Sequence, residues 1–300
     1  MIRPGLVFLL AISVAAPLAA GDDAPGPAAV GPVPAALRLD PFYAKHVDAG
    51  GIAVVGSGKV PDAALRAARD IVDPMLGHRP DLRAALVASK MRVVVMAESE
   101  STTDLPEQRD WKKPTRDDPR LTVGERERYD ELIGKLTDKE YWDGRARGMG
   151  GNPTSCAEEN LLGYPGTRYY GENILVHEFA HGIMDVGIRR ADPDLHRAIR
   201  AAYRAAMDKG LWKNHYAATT AAEYWAEGTQ FWFWSNYEYA APDGRRVMTP
   251  DDLKAYDPAL YDLLAKVYDG HQISGDIYHA KGLRPGRRRD PAVAKPAPAG

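Results

Sequence analysis

The stretch Glu172-Asn-Ile-Leu-Val-His177-Glu178-Phe-Ala-His181-Gly-Ile-Met184 constrains the fold more than any other part of the chain. Read at 3.6 residues per turn, Ile174, Leu175, Val176, Phe179, Ala180, Ile183 and Met184 make a helix that is apolar on nearly every side, and such a helix belongs inside a core. It nevertheless carries two imidazoles and a carboxylate, which without partners would cost several kcal/mol to take out of water. His177 and His181 are four residues apart, so both rings project from one face. A divalent cation between them removes the conflict. His-Glu-x-x-His on a helix is the arrangement in which two imidazoles hold Zn²⁺ while the glutamate, here Glu178, stands beside it as a general base. Zinc in such sites takes a third protein ligand and leaves a fourth position for water, so another side chain has to arrive from elsewhere.

One matching anomaly lies downstream. Ala221 to Trp234 reads as a strongly apolar helix with Tyr224, Trp225, Phe231, Trp232, Phe233 and Trp234, yet Glu223 and Glu227 sit one turn apart on it. Glu223 is the candidate third ligand. Glu227 is placed to accept a hydrogen bond from the non-metal nitrogen of a ligand histidine, which would fix its tautomer and orientation. The competing reading, two carboxylates pairing with a helix dipole on a wet face, fits poorly with so many aromatic neighbours. Between the two helices, Gly187 is expected to end the first. Asp192 or Asp194 is expected to start a spacer helix with Leu195, Ile199, Ala202, Tyr203, Ala206 and Met207 on one stripe up to Gly210. Leu211 to Tyr216 reads as a loop.

The N-terminal residues 1–20 read as a secretory signal: Arg3 supplies the positive end, Gly5 to Ala16 a short apolar run, and Pro17-Leu-Ala-Ala20 small residues for cleavage near Ala20. The apolar run is shorter than the ~20 residues that span a bilayer, so a secreted or periplasmic protein without stable membrane insertion is expected. No cysteine follows that run, which leaves no site for lipoprotein attachment. Cys156 is the only cysteine, so no disulfide can form within the chain and the core has to carry its stability. The thiol reads as buried or incidental. A formal net charge of −2, with no basic and aromatic array in the folded part, argues against a nucleic-acid partner.

Residues 21–40 are rich in Pro, Gly and Ala and read as a linker; residues 283–300, with Arg284 and Arg287-Arg-Arg289, read as a disordered basic tail. Residues 41–282 are taken as a single domain. Gly51 to Gly56 and Met91 to Met96 are β-branched runs that read as strands. Pro61 to Lys90 has helical periodicity, with Ala64, Ala67, Ala68, Ile71, Val72 and Met75 on one face and a break near Gly77 to Pro80. A β-α-β unit with a long crossover follows from these. Residues 97–170 mix Trp111, Tyr141, Trp142, Tyr164, Tyr169 and Tyr170 with Gly, Pro, Asp and Arg, so long ordered loops forming a cleft wall are expected, plus a helix near Val123 to Leu136.

The combination His177-Glu-Phe-Ala-His181, then Tyr216, six residues, and Glu223-Tyr-Trp-Ala-Glu227 resembles the catalytic domain of the anthrax lethal factor-like zinc metallopeptidases. These are a glutamate-ligand zincin family that also includes the Pro-Pro endopeptidases. The resemblance covers residues 170–235 in motif and 41–270 in architecture. It implies that His177, His181 and Glu223 bind one zinc ion, that Glu178 is the base and that Tyr216 hydrogen-bonds the oxyanion. Met184 and Gly187 stand where a metzincin has Gly and a third His. The expected fold is thus α+β and zincin-like, a small N-terminal β-α-β part followed by a mainly helical half with the active-site helix.

Together these readings describe an exported zinc metallopeptidase acting on a protein or peptide substrate. His215, beside Tyr216, is a candidate substrate-side group. Two other classes stay open: a catalytically idle zinc domain that binds partners at the cell surface, and a metal-dependent amidase acting on a cell-wall or other non-peptide amide. Specificity and oligomeric state are not written in these motifs.

Overall fold

The computed structural model describes residues 29–118, 121, 123–273 and 275–281. The expected secretory signal and basic tail lie outside them. Part of the proline-rich stretch read as linker belongs to the sheet, because β1 (Gly31–Pro32) pairs antiparallel with His46 and Lys45. That strand, β2 (Lys45–Ala49), is joined to β3 (Ile52–Gly56) through Gly50 and Gly51, whose φ angles of 61° and 90° suit the two-residue hairpin turn that needs positive φ at both centres. Asp48 accepts a hydrogen bond from the Gly51 N–H across that turn.

From β3 the chain crosses over through α1 (Asp62–Met75) and α2 (Pro80–Ala88) to β4 (Arg92–Met96), which lies parallel to β3. This is the β-α-β unit expected from the pattern. The stripe Ala64, Leu65, Ala68, Ile71, Val72 and Met75 is buried against the sheet. On β4, Val93 and Val95 face the main core while Val94 and Met96 face a second cluster with Tyr43, Val55 and Leu105. Both faces of the strand are covered, so an uninterrupted apolar run is the composition it needs.

The segment after β4 has more regular structure than the loops expected of it. It contains α3 (Val123–Glu127), a π turn at Asp130–Gly134, α4 (Asp138–Arg145), β5 (Thr154–Ala157) and α5 (Glu158–Leu161). A small separate cluster of Leu121, Ile133, Tyr141, Trp142, Ala146 and Met149 holds the first part, with the buried Arg145–Glu125 pair at 2.7 Å. β5 runs parallel to β4 and completes the sheet order β1-β2-β3-β4-β5, and Met149 bridges Ser155 beyond it.

Then come α6 (Ile174–Gly182), a π turn at Ile183–Ile188, α7 (Arg189–Ala191), α8 (Pro193–Asp208) and α9 (Ala221–Trp232). Gly187 does not end the first of these. It sits inside the π turn, where even a Cβ would meet Leu86 and Leu82 at ordinary contact distances of 3.5 and 3.7 Å, and the helical chain runs on through it. Asp192 accepts a hydrogen bond from Leu195 N and starts the spacer helix α8 as expected. A short hairpin, β6 (Tyr239–Ala240) and β7 (Arg246–Val247), precedes α10 (Pro250–Tyr256) and α11 (Pro258–Tyr268). The architecture is α+β: an N-terminal sheet and a helical half on one continuous core, with α6 buried along its whole length. Among the described residues no helix is long and apolar enough to cross a membrane.

Candidate metal centre

Helix α6 starts at Asn173, whose side chain accepts from Val176 N, and all nine of its residues are buried. Helix α9 starts at Thr220, whose hydroxyl accepts from Glu223 N and so fixes the first turn on which Glu223 stands. The two helices pack against each other and bring together the residues that the sequence separates.

His177 Nε2 is 3.0 Å from Glu223 Oε2, His181 Nε2 is 3.3 Å from the same oxygen, and the two nitrogens are 3.2 Å apart. All three side chains are buried. Ligands held ~2.0–2.1 Å from a tetrahedral zinc ion stand about 3.3 Å from one another, so this triangle has the edge of a zinc coordination shell. Two imidazoles and one carboxylate are also the donor set zinc prefers in sites with an open position. The residues fit the ion.

The electrostatics agree with a site built for positive charge. Burial alone would raise the Glu223 carboxyl, but the neighbouring His181 and His177 hold it well below the usual carboxylate range. Burial likewise pulls the His181 imidazole down, and Glu223, with Asp185 and Glu227 beyond it, more than offsets this and leaves it above its ordinary value. In the metal-free protein the acid and the base therefore keep each other charged.

Glu178 follows His177 on α6 and is 1% exposed, with its chain passing close to Gly148, where a Cβ would lie 3.3 Å from Glu178 Cγ. Gly150 lies in the same way against His181, at 2.8 Å from its Cβ. A side chain at either glycine would push this strand-like segment off the helix. Tyr216 begins a single 3-10 turn at Tyr216–Ala218 and reaches the cluster: its hydroxyl donates to Glu223 Oε1 at 3.1 Å and its ring stacks on His177. The loop that carries it is pinned by buried Trp212, whose Nε1 donates to Asp257 Oδ2 while Tyr224 donates to the same oxygen.

One expectation changes. Glu227 Oε1 is 3.7 Å from His177 Nδ1, beyond hydrogen-bond range, whereas Gln230 Oε1 is at 2.9 Å and takes that place. Glu227 Oε2 instead accepts from Asn236 Nδ2 at 2.7 Å. Gln230 lies one turn further along α9, which brings its neutral amide, as long as the Glu227 side chain, onto the ring that Glu227 passes beside. The His215 ring packs among Trp212, Phe231 and Tyr239, its Nδ1 accepts from Ala217 N, and its Nε2 lies 3.8 Å from Glu227 Oε2. Gln230 was missed because a neutral amide breaks no charge rule in an apolar helix. Its spacing of seven residues from Glu223, two turns on one face, is the signal that marks it. Cys156 is buried on β5, where burial pushes its thiol up, and it contributes nothing to the cluster.

No family model matches the chain, and no curated protein does. Among solved structures, the Pro-Pro endopeptidase PPEP-2 from Paenibacillus alvei aligns over 71% of this chain and 96% of its own, with 17% sequence identity and a TM-score of 0.45.

Proposed function

We propose that the chain is an exported zinc-dependent peptidase in which His177, His181 and Glu223 hold one zinc ion and Glu178 is the general base. The observation that carries this reading is the buried triangle of two imidazole nitrogens and one carboxylate oxygen with edges of 3.0–3.3 Å, next to a second carboxylate on the same helix. A bound zinc ion supplies Lewis acidity toward a carbonyl oxygen and acidifies water. Glu178 takes the proton from the attacking water and returns it to the leaving amine. The Tyr216 hydroxyl, which donates to Glu223 Oε1 at 3.1 Å, is the donor assigned to the developing oxyanion.

A specific feature favours peptides over other amides. Met149 exchanges both backbone hydrogen bonds with Ser155, at 3.1 and 2.8 Å. In such a pair the flanking residues turn their N–H and C=O groups away from Ser155, and the backbone of buried Gly148 and half-buried Gly150 runs alongside Glu178 and His181, the edge assigned to substrate. An extended peptide can add to that edge as a further strand. A domain that only binds partners has no need of Glu178.

The test is to incubate the purified mature protein with a proteome-derived peptide library, with and without chelator, and to read cleavage by mass spectrometry. Chelator-sensitive cuts are expected, and Glu178→Gln should keep its metal while losing about 10²–10⁴-fold in turnover. Full cleavage by that variant rules out the assigned base. Metal bound with no cleavage of any peptide moves the protein to the amidase or binding class.

A further inference from the structure

We propose that Gln230, held from behind by Asn173, is the positioning residue of His177: it forces the Nδ1–H tautomer and so aims the Nε2 lone pair at the metal position. This inference rests on the metal-site reading above for its purpose and on hydrogen-bond geometry for its substance.

The amide of Gln230 can sit in only one sense. Its Nε2 donates to the backbone carbonyl of Asn173 at 3.0 Å, and its Oε1 faces His177 Nδ1 at 2.9 Å. Turned over, it would press oxygen on oxygen at Asn173 and offer a second donor to the ring. Because Gln230 Oε1 can only accept, His177 Nδ1 carries the proton. A neutral His177 then has its lone pair on Nε2, pointing at His181 Nε2 and Glu223 Oε2. A cation between the three atoms would take that lone pair.

Asn173 is itself over-determined. Its N–H donates to Ser235 O, its Oδ1 caps α6 at Val176 N, and its Nδ2 donates to Asp276 Oδ1 in the segment that follows α11. The carbonyl that orients Gln230 thus belongs to the N-cap of the metal helix, locked on one side to the end of α9 and on the other to the chain's last described residues. His181 has no such partner: its Nδ1 has no hydrogen-bond acceptor among the described residues. Of the two imidazoles, only His177 is tautomerically fixed by the protein, and Gln230 is the group that fixes it.

The experiment uses the full-length mature protein with Gln230→Met, which keeps the volume and removes the acceptor, and Gln230→Glu, which keeps an acceptor oxygen toward the ring. Two quantities are measured: the histidine tautomers of the metal-free protein by long-range ¹H–¹⁵N correlation, and zinc affinity by competition with a chelating dye. Circular dichroism verifies that each variant is folded. Wild-type His177 is expected as the Nδ1–H tautomer and Gln230→Met as a mixture or the Nε2–H form. Zinc affinity should fall about 10–100-fold in Gln230→Met and recover in Gln230→Glu. An Nε2–H tautomer in the wild type, or a Gln230→Met protein with unchanged tautomer and zinc affinity, overturns the inference. If the wild type binds no zinc, the metal-site reading fails while the tautomer measurement still decides the role of Gln230.

Discussion

Glu223 divides its carboxylate between two tasks. Oε2 closes the triangle with the imidazoles, and Oε1 takes the hydroxyl of Tyr216 at 3.1 Å. In the proposed zinc site, an Oε1 engaged in this way would leave Oε2 as the carboxylate ligand. Tyr216→Phe separates this role from a direct one on the oxyanion. Loss of an oxyanion donor should lower turnover by about 10²–10³-fold, whereas loss of a group behind a ligand should weaken zinc by about 10-fold or more. We expect the first effect with metal content per chain unchanged; turnover per bound zinc equal to wild type would confine the hydroxyl to Glu223. At this scale the grouping is legible where a charge breaks an apolar pattern: His177, His181 and Glu223 are the residues the fold brings together. Gln230 broke no pattern. The ring of His215, next to Tyr216 in sequence, packs on Phe231 and Tyr239 with its Nε2 3.8 Å from Glu227 Oε2, a placement that adjacency alone does not disclose.

Among the elements, the parallel unit β3-α1-α2-β4 was legible because its period and its punctuation agree. The hairpin partner β2 was marked by Gly50-Gly51, a two-residue turn signal that the strand assignment beginning at Gly51 absorbed. β5 was hidden because four residues, Thr154–Ala157, with no hydrophobic alternation carry almost no signal, and burial on every side decides their conformation. The segment after α11 is the element whose importance exceeds its regularity. Asp276 accepts from Asn173 Nδ2 and Tyr278 N through Oδ1, while Oδ2 is buried without a hydrogen-bond partner among the described residues. Burial raises its pKa above the ordinary 3.8 despite those bonds. A raised carboxyl pKa means that the folded state binds the proton more tightly, so ionisation costs stability as pH rises through the folded value, and nothing is lost below 3.8. Asp276→Asn keeps the accepting oxygen and never ionises. It should raise the melting temperature at pH 7–8 and leave it unchanged near pH 3; a variant that is less stable at pH 8 would show that the ionised form is the one the cap of α6 requires.

Across the described residues, one core runs from the sheet through α1 and α6 to α9 and α11, so α6 is a shared wall rather than an appendage. His177 and Glu223 are 46 residues apart in sequence and 3.0 Å apart in space, and the proposed ion between them would tie two helices that the unfolded chain does not hold together. Binding that favours the folded state stabilises it by RT ln(1 + [L]/Kd), about 2.7 kcal/mol at a zinc concentration 100 times Kd. For a domain of this size that corresponds to roughly 5–10 °C in melting temperature. The shift should depend on pH with a definite sign. The raised pKa of His181 adds stability to the metal-free protein below 6.5, and this is lost as pH rises through the folded value. Zinc needs the unprotonated ring, so protons compete with it over the same range. The zinc-induced shift should therefore grow from pH 6 to pH 8 in the wild type and all but vanish in Glu223→Ala at either pH. Differential scanning calorimetry with and without chelator reads both. A shift that Glu223→Ala retains would put the stabilising ion somewhere other than between α6 and α9.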